Sequence, residues 1–163
     1  MNLNLNKKFQ QATTKHLEGK LDEAEKIYQE ILQIDQTHAD ANYNLAIIKV
    51  SLNKSIDALK FFKIATEMDP SKEVYWIGYG HTLLNAKFFK QAEISYRKAI
   101  EIKPNNPQTL NNLGLTLWNL DMLDEAEVIL NKAIELKLNN PYSYLNLGNV
   151  LKSQQKLDEA VAS

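Results

Sequence analysis

Apolar side chains recur at spacings of three and four residues along most of the chain, which is the pattern of an amphipathic helix. Leu45, Ile48 and Leu52 show this spacing in one segment, and Leu59 and Phe62 show it in the next. Between such segments lie short stretches with glycine, asparagine or proline, residues that end helices or form turns. The pattern therefore predicts an all-α protein built from short helices joined by tight connections.

The apolar pattern repeats with a period of 34 residues. One column contains only alanine: Ala24, Ala58, Ala92, Ala126 and Ala160. A second column contains only alanine or glycine: Ala12, Ala46, Gly80, Gly114 and Gly148. A third column contains large side chains: Tyr28, Phe62, Tyr96 and Leu130. We expect the small residues where the two helices of a pair approach most closely, and the large residues in the space beside them.

This period divides the chain into four full repeats and a shorter fifth. The full repeats span residues 5–38, 39–72, 73–106 and 107–140, and the fifth spans residues 141–163. We expect a single domain over residues 1–163, because a repeat can bury its apolar face only against its neighbours. The fifth repeat stops within its predicted second helix, so we expect the chain to be part of a longer array that carries a closing cap.

Local sequence features mark the ends of the predicted helices. Asn106-Pro107 and Asn140-Pro141 predict helix starts, because asparagine caps a helix and proline suits its first turn. Gly19 predicts a helix end, where a left-handed residue is common. Gly78 is an additional glycine inside a predicted helix, where we expect it to cost about 1 kcal/mol relative to alanine.

These columns resemble the tetratricopeptide repeat. The resemblance rests on the pairs Leu113-Gly114 and Leu147-Gly148, and on the later alanine with an aromatic residue four positions on. It also rests on Pro70 and Pro104 near the ends of two repeats, and on Trp76, which matches an aromatic residue found early in the family's repeat. The resemblance covers essentially the whole chain.

The sequence departs from the family's pattern at three positions. Gln36 and Leu138 stand where the family usually has proline, and Ile31 stands for alanine. We expect these changes to loosen the packing locally without altering the fold. The resemblance implies an all-α, right-handed superhelical solenoid of antiparallel helix pairs. It also implies a concave groove, lined by the first helix of each repeat, that binds a protein or peptide partner.

Helical spacing from the buried columns predicts which side chains line such a groove. We expect a peptide-binding groove formed by Phe9, Tyr43, Asn44, Ile47, Ile77, His81, Leu84, Asn111, Asn112, Leu115, Trp118, Leu145, Asn146 and Asn149. An exposed strip this apolar is typical of an interaction site, and Trp118 is expected to contribute most to binding. The competing interpretation is that part of the strip is buried by neighbouring repeats or by a further C-terminal segment.

A row of side-chain amides accompanies this strip: Gln10, Asn44, Asn112 and Asn146. Such a row can hydrogen-bond a peptide backbone without reading its sequence. It is similar to the asparagine ladder of O-linked N-acetylglucosamine transferases, although asparagine at this position also bonds within the fold in many tetratricopeptide repeats. The family's other mode, a clamp for a C-terminal carboxylate, is not expected, because positions such as Phe9, Thr13 and Val74 lack the required cations.

Composition narrows the possible functions. Charged residues make up 24% of the chain and the net charge is −1, which disfavours a general nucleic-acid or anionic-membrane binder. There is no cysteine, and His16, His38 and His81 are far apart in the sequence, so we expect no metal and no cofactor. No stretch of 18 uninterrupted apolar residues predicts a membrane span, and no signal peptide is evident, so we expect a cytoplasmic protein.

The sequence therefore predicts a non-catalytic scaffold that binds other proteins. The alternative is a substrate-recruiting or regulatory region of a larger enzyme, such as a glycosyltransferase, sulfotransferase or methyltransferase, with its catalytic domain beyond residue 163. Self-association is also expected, because Leu147, Leu151 and Leu157 belong to the incomplete repeat and would expose an apolar face.

Overall fold

The computed structural model describes residues 3–137 and 140–162, with side chains as far as residue 155. Its helices are α1 (Leu3–Leu17), α2 (Leu21–Ile34), α3 (Ala39–Ser51), α4 (Ser55–Met68), α5 (Glu73–Asn85), α6 (Phe89–Ile102), α7 (Pro107–Asn119), α8 (Leu123–Leu136) and α9 (Pro141–Ala162). No strand occurs within these described residues, which confirms the all-α prediction. None of the described helices is long and apolar enough to cross a membrane. Predictions that involve Leu138, Asn139, Leu157 or Ala160 fall outside the described side chains.

The chain divides into two compact units, Met1–Thr82 and Leu83–Ser163. In the first unit, α1 packs against α2 and α3 packs against α4. In the second unit, α7 packs against α8, and α9 packs against both of them. The pairs α1–α2, α3–α4 and α7–α8 each occupy one period of the sequence pattern.

Small side chains occupy the centre of the packing in the first unit. Ala12 and Ala24 are fully buried in one apolar cluster that also contains Tyr28. Ala46 and Phe62 are fully buried in a second cluster. Because alanine adds little bulk, the helix axes approach closely and the neighbouring aromatic rings fill the remaining space. The predicted columns of small and large residues are confirmed in this unit.

Gly78 is required by the packing of α5 in the first unit. A Cβ atom on Gly78 would lie 2.7 Å from Cε1 of Phe62 and 3.2 Å from Cε2 of Tyr43. Carbon atoms do not approach so closely without a shift of the structure, so a side chain here would displace one of the rings. The sequence predicted only a loss of helix stability at this glycine. The structure shows that the absent side chain lets the Phe62 and Tyr43 rings pack against the backbone, which offsets that loss.

A residue in the left-handed conformation follows the first helix in each full repeat. The φ angle is 75° at Gly19, 58° at Asn53, 63° at Lys87 and 61° at Asp121. These residues are one period apart, so the same tight turn recurs along the sequence. Glycine adopts this conformation freely and short polar residues tolerate it, whereas a lysine adopts it at some cost in free energy.

The next position of that column is Gln155, and no turn forms there. Helix α9 runs without interruption from Pro141 to Ala162. The separate second helix that was predicted for the fifth repeat does not form, so that prediction is wrong. Glutamine is a good helix former and has little tendency toward positive φ, so the helix continues through the position where the other repeats turn.

The predicted helix starts are confirmed at α7 and α9. The Asn106 side-chain oxygen accepts hydrogen bonds from the backbone N–H groups of Gln108 (3.1 Å) and Thr109 (3.3 Å) at the start of α7. At the start of α9, the Asn140 side-chain oxygen accepts from the backbone N–H of Tyr142 at 3.2 Å. Each cap satisfies backbone donors that have no partner within the helix.

Two glycines of the small-residue column have different surroundings in the second unit. A Cβ atom on Gly114 would lie 2.5 Å from Cγ of Leu130 on the paired helix α8. A Cβ atom on Gly148 would meet no described atom within 4 Å, and α9 continues as a single helix past the position where the other repeats turn. Packing therefore requires glycine at the first position and leaves the second free.

We predict opposite effects of alanine at these two glycines. Gly114→Ala should lower the free energy of unfolding by about 1–3 kcal/mol, because the new methyl group overlaps Leu130. Gly148→Ala should raise it by up to about 1 kcal/mol, because alanine is the better helix former and nothing opposes its side chain. Urea unfolding followed by circular dichroism measures both changes. Equal effects of the two substitutions would contradict the packing described for Gly114.

Candidate functional site

The predicted groove residues of the first unit lie on α1, α3 and α5. The half-buried members of this set are Phe9, Tyr43, Asn44, Ile47 and Ile77. His81 is exposed. Each half-buried side chain therefore uses part of its surface in the fold and leaves part accessible.

The ring of Tyr43 is held by other aromatic rings. It stacks on Tyr75 with a centroid distance of 4.8 Å and meets Phe62 edge-on at 5.8 Å. The backbone of Gly78 allows this arrangement, because any side chain there would approach both Tyr43 and Phe62. Burial raises the pKa of the Tyr43 phenol, so the ring stays neutral at physiological pH. Tyr43 is therefore a rigid and uncharged aromatic surface.

Phe9 and Ile47 are fixed in a similar way. Phe9 stacks on the His38 ring at 5.1 Å and lies 5.9 Å from the Tyr28 ring. Ile47 packs against the buried cluster that contains Phe62. Side chains held in this manner lose little conformational entropy when they contact a ligand.

A polar cluster that the sequence pattern did not predict connects α3 with α5. Lys72, which precedes α5, donates hydrogen bonds to Asp40 Oδ1 (2.7 Å) and to the Tyr75 hydroxyl (3.0 Å). The Tyr75 hydroxyl also donates to Asp40. The equivalent positions in other repeats carry different residues, so no periodic pattern marks this cluster. It orients the ring on which Tyr43 stacks.

Each member of this polar cluster has a shifted pKa. Burial raises the pKa of Tyr75 to about 12, and the hydrogen bond to Asp40 acts in the same direction. For Asp40, burial acts to raise the pKa, but the hydrogen bonds from Lys72 and Tyr75 outweigh it and the pKa is lowered. For Lys72, burial acts to lower the pKa, but the bond to Asp40 outweighs it and the pKa is raised. The lysine and the aspartate are therefore charged and Tyr75 is neutral at physiological pH.

The predicted groove residues of the second unit are less accessible. Leu84 and Asn111 are buried, so they offer almost no surface to a ligand. The half-buried members are Asn112, Leu115, Trp118, Asn146 and Asn149, and Leu145 is exposed. For Leu84 and Asn111, the structure agrees with the competing interpretation, in which part of the strip is covered by the fold itself.

Two side-chain bonds join α7 to α9 within this unit. The Asn146 amide donates to Oδ1 of Asn111 at 3.0 Å. The Trp118 indole N–H donates to the hydroxyl of Ser153 at 3.0 Å. Trp118 was expected to contribute most to binding, but its indole N–H is already hydrogen-bonded within the fold. The sequence pattern did not single out Ser153, because its column is mixed and reads Leu17, Ser51, Asn85 and Asn119 in the other repeats.

The predicted row of amides is largely engaged within the fold. Asn44 lies near the hydroxyl of Tyr28 and acts to lower the pKa of that phenol. The Asn112 oxygen accepts from the Gln108 amide at 3.3 Å. The amide of Asn146 is the donor in the bond to α7 described above. These bonds favour a structural role for the amides over a ladder that binds a peptide backbone.

The three histidines have separate environments. His38 Nδ1 accepts a hydrogen bond from the backbone N–H of Ala41 at 3.3 Å, and so caps α3. His16 meets Tyr28 edge-on, and burial lowers the pKa of its imidazole. His81 is exposed. Among the residues that the structure describes, no group of three potential metal ligands occurs.

We predict that Asp40→Asn weakens the first unit in a pH-dependent manner. The folded-state pKa of Asp40 is lowered from 3.8, so its contribution is present above that pH and is lost as the pH falls through the folded value. The effect at neutral pH should be below about 1 kcal/mol, because the pair is partly exposed and screened. Urea unfolding between acidic and neutral pH measures it, with Asp121→Asn as the control. A difference between wild type and Asp40→Asn that persists unchanged into acid would contradict the assignment.

Comparison with protein families identifies the repeat. Residues 16–76 and residues 107–140 match models described as tetratricopeptide repeat. Residues 89–121 match a model described as TPR repeat, the same repeat in its abbreviated form. No curated protein sequence matches the chain significantly.

Solved structures with a similar fold belong to the same class. YrrB, described as a TPR protein with an unusual peptide-binding site, has a TM-score of 0.87 and 21% identity, covering 91% of this chain and 76% of YrrB. MamA has a TM-score of 0.88 and 19% identity, with 99% and 88% covered. MamA from Desulfovibrio magneticus RS-1 has a TM-score of 0.86 and 17% identity, with 99% and 92% covered. These similarities establish the fold, and together with the matched repeats they show that the chain belongs to the tetratricopeptide repeat family.

Proposed function

We propose that the chain is a protein-interaction scaffold whose first helices bind a peptide or helix of a partner protein. The proposal is supported by the family and by one observation in particular. Phe9, Tyr43, Ile47 and Ile77 are half-buried on the first helices of the first unit, where packing holds at least three of them in place. Pre-ordered apolar and aromatic surface of this kind is typical of interaction sites.

The surroundings of these residues indicate how a ligand would be recognised. The Asn112 oxygen already accepts a hydrogen bond from the Gln108 amide and Asn44 lies near the Tyr28 hydroxyl, so fewer of their polar atoms are available to a peptide backbone. Recognition would therefore depend on apolar side chains of the ligand that contact Tyr43, Ile47 and Ile77. An amphipathic helix or an extended segment with spaced apolar residues has this chemistry. The alternative function, substrate recruitment within a larger enzyme, would use the same surface.

Self-association is a second candidate, and the exposed face of α9 favours it. Leu117 on α7 is fully buried, whereas Leu151, one repeat later on α9, is 45% exposed. Leu110 is buried on α7 and its counterpart Tyr144 on α9 is exposed. We propose that this face of α9 pairs with the same face of a second copy, since apolar patches of this kind promote association.

The groove proposal predicts that one substitution on α3 weakens peptide binding. Peptides would be selected from a random display library against the chain, and their affinity measured by fluorescence anisotropy. Ile47→Lys should weaken binding about tenfold or more, because it places a charge in the apolar surface. Ile56→Lys is the matched control, because Ile56 is exposed on the second helix α4 of the same repeat. It should leave the affinity unchanged.

Circular dichroism establishes that both variants fold. Tyr43→Ala serves as an independent test of the same surface, and it should also weaken binding. The groove proposal would be contradicted if no peptide were selected, or if Ile47→Lys and Ile56→Lys bound the selected peptides equally well.

The self-association proposal predicts a concentration-dependent sedimentation coefficient. Wild type should form dimers as its concentration rises, and the double substitution Tyr144→Lys and Leu151→Lys should keep the chain monomeric. Ile94→Lys, at an exposed position on α6, is the control and should behave as wild type. Analytical ultracentrifugation measures all three proteins. A monomeric wild type, or dimers of the double variant, would exclude association through α9.

A further inference from the structure

Helix α9 has one side packed against the second unit and one side open. On the packed side, Asn146 and Ser153 are hydrogen-bonded to α7, and Val150 between them is fully buried. The other side carries four residues at spacings of three and four, which we call the open face: Tyr144, Leu147, Gly148 and Leu151. Leu147 is half-buried and the other three are exposed. The helix is continuous to Ala162, so within the described residues the chain does not fold back over this face.

Helix α7 shows what covers the same face in a complete repeat. The counterparts of the open face on α7 are all buried: Leu110, Leu113, Gly114 and Leu117. Helix α8 follows a short turn and packs back along α7. Leu130 of α8 lies over Gly114, so closely that a Cβ atom on this glycine would be 2.5 Å from the leucine Cγ. A glycine in this column is therefore a recess that receives a leucine of the covering helix.

The recess at Gly148 has no such leucine. A Cβ atom on Gly148 would meet no described atom within 4 Å. The adjacent residue of the same face, Leu147, is the type of side chain that fills the recess at Gly114. The open face thus carries both halves of the contact, a recess and a leucine. The pair Leu-Gly occurs twice in the sequence, and the other pair, on α7, is already covered by α8.

Two copies of α9 satisfy both halves when they pack antiparallel, as α7 and α8 do. In one register, Leu147 of each copy lies over Gly148 of the other. Because the numbering runs in opposite directions along the two helices, the same register places Tyr144 opposite Leu151. A two-fold axis then passes between the helices, so that every contact is made twice.

Electrostatic repulsion does not oppose this pairing. Within residues 141–155, Lys152 is the only charged residue of α9, and it is not part of the open face. Like charges of the two copies therefore do not meet across the axis. One helix face is smaller than a standard interface, which buries about 800 Å² per partner, so the dimer should dissociate on dilution.

We infer that Gly148 determines how α9 self-associates, because it receives Leu147 of a second copy in an antiparallel pair of α9 helices. The inference rests on the self-association proposed above and specifies its register and its central contact. The second copy covers the open face of α9 as α8 covers α7. Burial of Leu147, Tyr144 and Leu151 in both copies supplies the driving force.

Introduced cysteines test the register, because the chain has no cysteine of its own. Tyr144→Cys and Leu151→Cys would be mixed and oxidised, and disulfide-linked dimers would be detected by non-reducing electrophoresis. The mixture should cross-link, because the register places these two positions opposite each other. Each variant alone should cross-link little, since copies of the same residue lie about 10 Å apart along the axis. Ile94→Cys, at an exposed position on α6, is the control and should cross-link with neither.

A single methyl group tests the central contact. Gly148→Ala should raise the dissociation constant of the dimer about tenfold or more, because the methyl group occupies the recess for Leu147. At dilutions where the chain is monomeric, it should still stabilise the fold. Association through apolar surfaces without a fixed register would be unchanged or strengthened by an added methyl group. Lys152→Ala, on the same helix but outside the open face, is the matched control and should leave the dissociation constant unchanged.

The outcomes separate this inference from the self-association on which it rests. A wild type that stays monomeric in sedimentation would overturn both. Wild-type dimers that cross-link through Tyr144→Cys alone, or that keep their affinity after Gly148→Ala, would overturn the register and leave self-association standing. Circular dichroism establishes that each variant is folded, and the cross-linking and the affinity are independent measurements of the same contact.

Discussion

The close approach of paired helices is the constraint on which this structure depends. At Gly114 the approach is so close that even a methyl group would overlap Leu130. In the first unit, Ala12 holds a place in the same column as Gly114 and is fully buried, as is Ala24 on the paired helix. With the backbones this near, bulky side chains must lie in flanking columns, and those columns fix which faces of each helix stay accessible.

The rigidity of the accessible side chains depends on the residues packed beneath them. Tyr43 is held by Phe62 and Tyr75, and Tyr75 is in turn fixed by Asp40 and Lys72. A surface built in this way needs no further ordering before it contacts a partner, which favours binding. In the second unit, by contrast, polar side chains join α7 to α9 and occupy part of the equivalent surface. The two units therefore differ in what they can offer a ligand, although they share one sequence pattern.

Periodicity was sufficient to predict the helices, the small-residue columns and the caps at Asn106 and Asn140, because these features recur and depend on local chemistry. It failed where a single position departs from the period. Gln155 replaces the residues that turn in other repeats, and α9 continues. For Gly78 the pattern predicted only a loss of helix stability, and it did not predict the close contact with Phe62 that requires glycine there.

The central claim, that the first helices of the first unit form the main ligand-binding surface, is tested most directly by methyl cross-saturation NMR. The chain would carry methyl labels on isoleucine and would be saturated from a bound, unlabelled peptide. The account predicts that Ile47 and Ile77 lose intensity while Ile56 on the second helix does not. Loss at Ile56 or Ile94 with Ile47 unaffected would contradict it and would assign binding to the second helices.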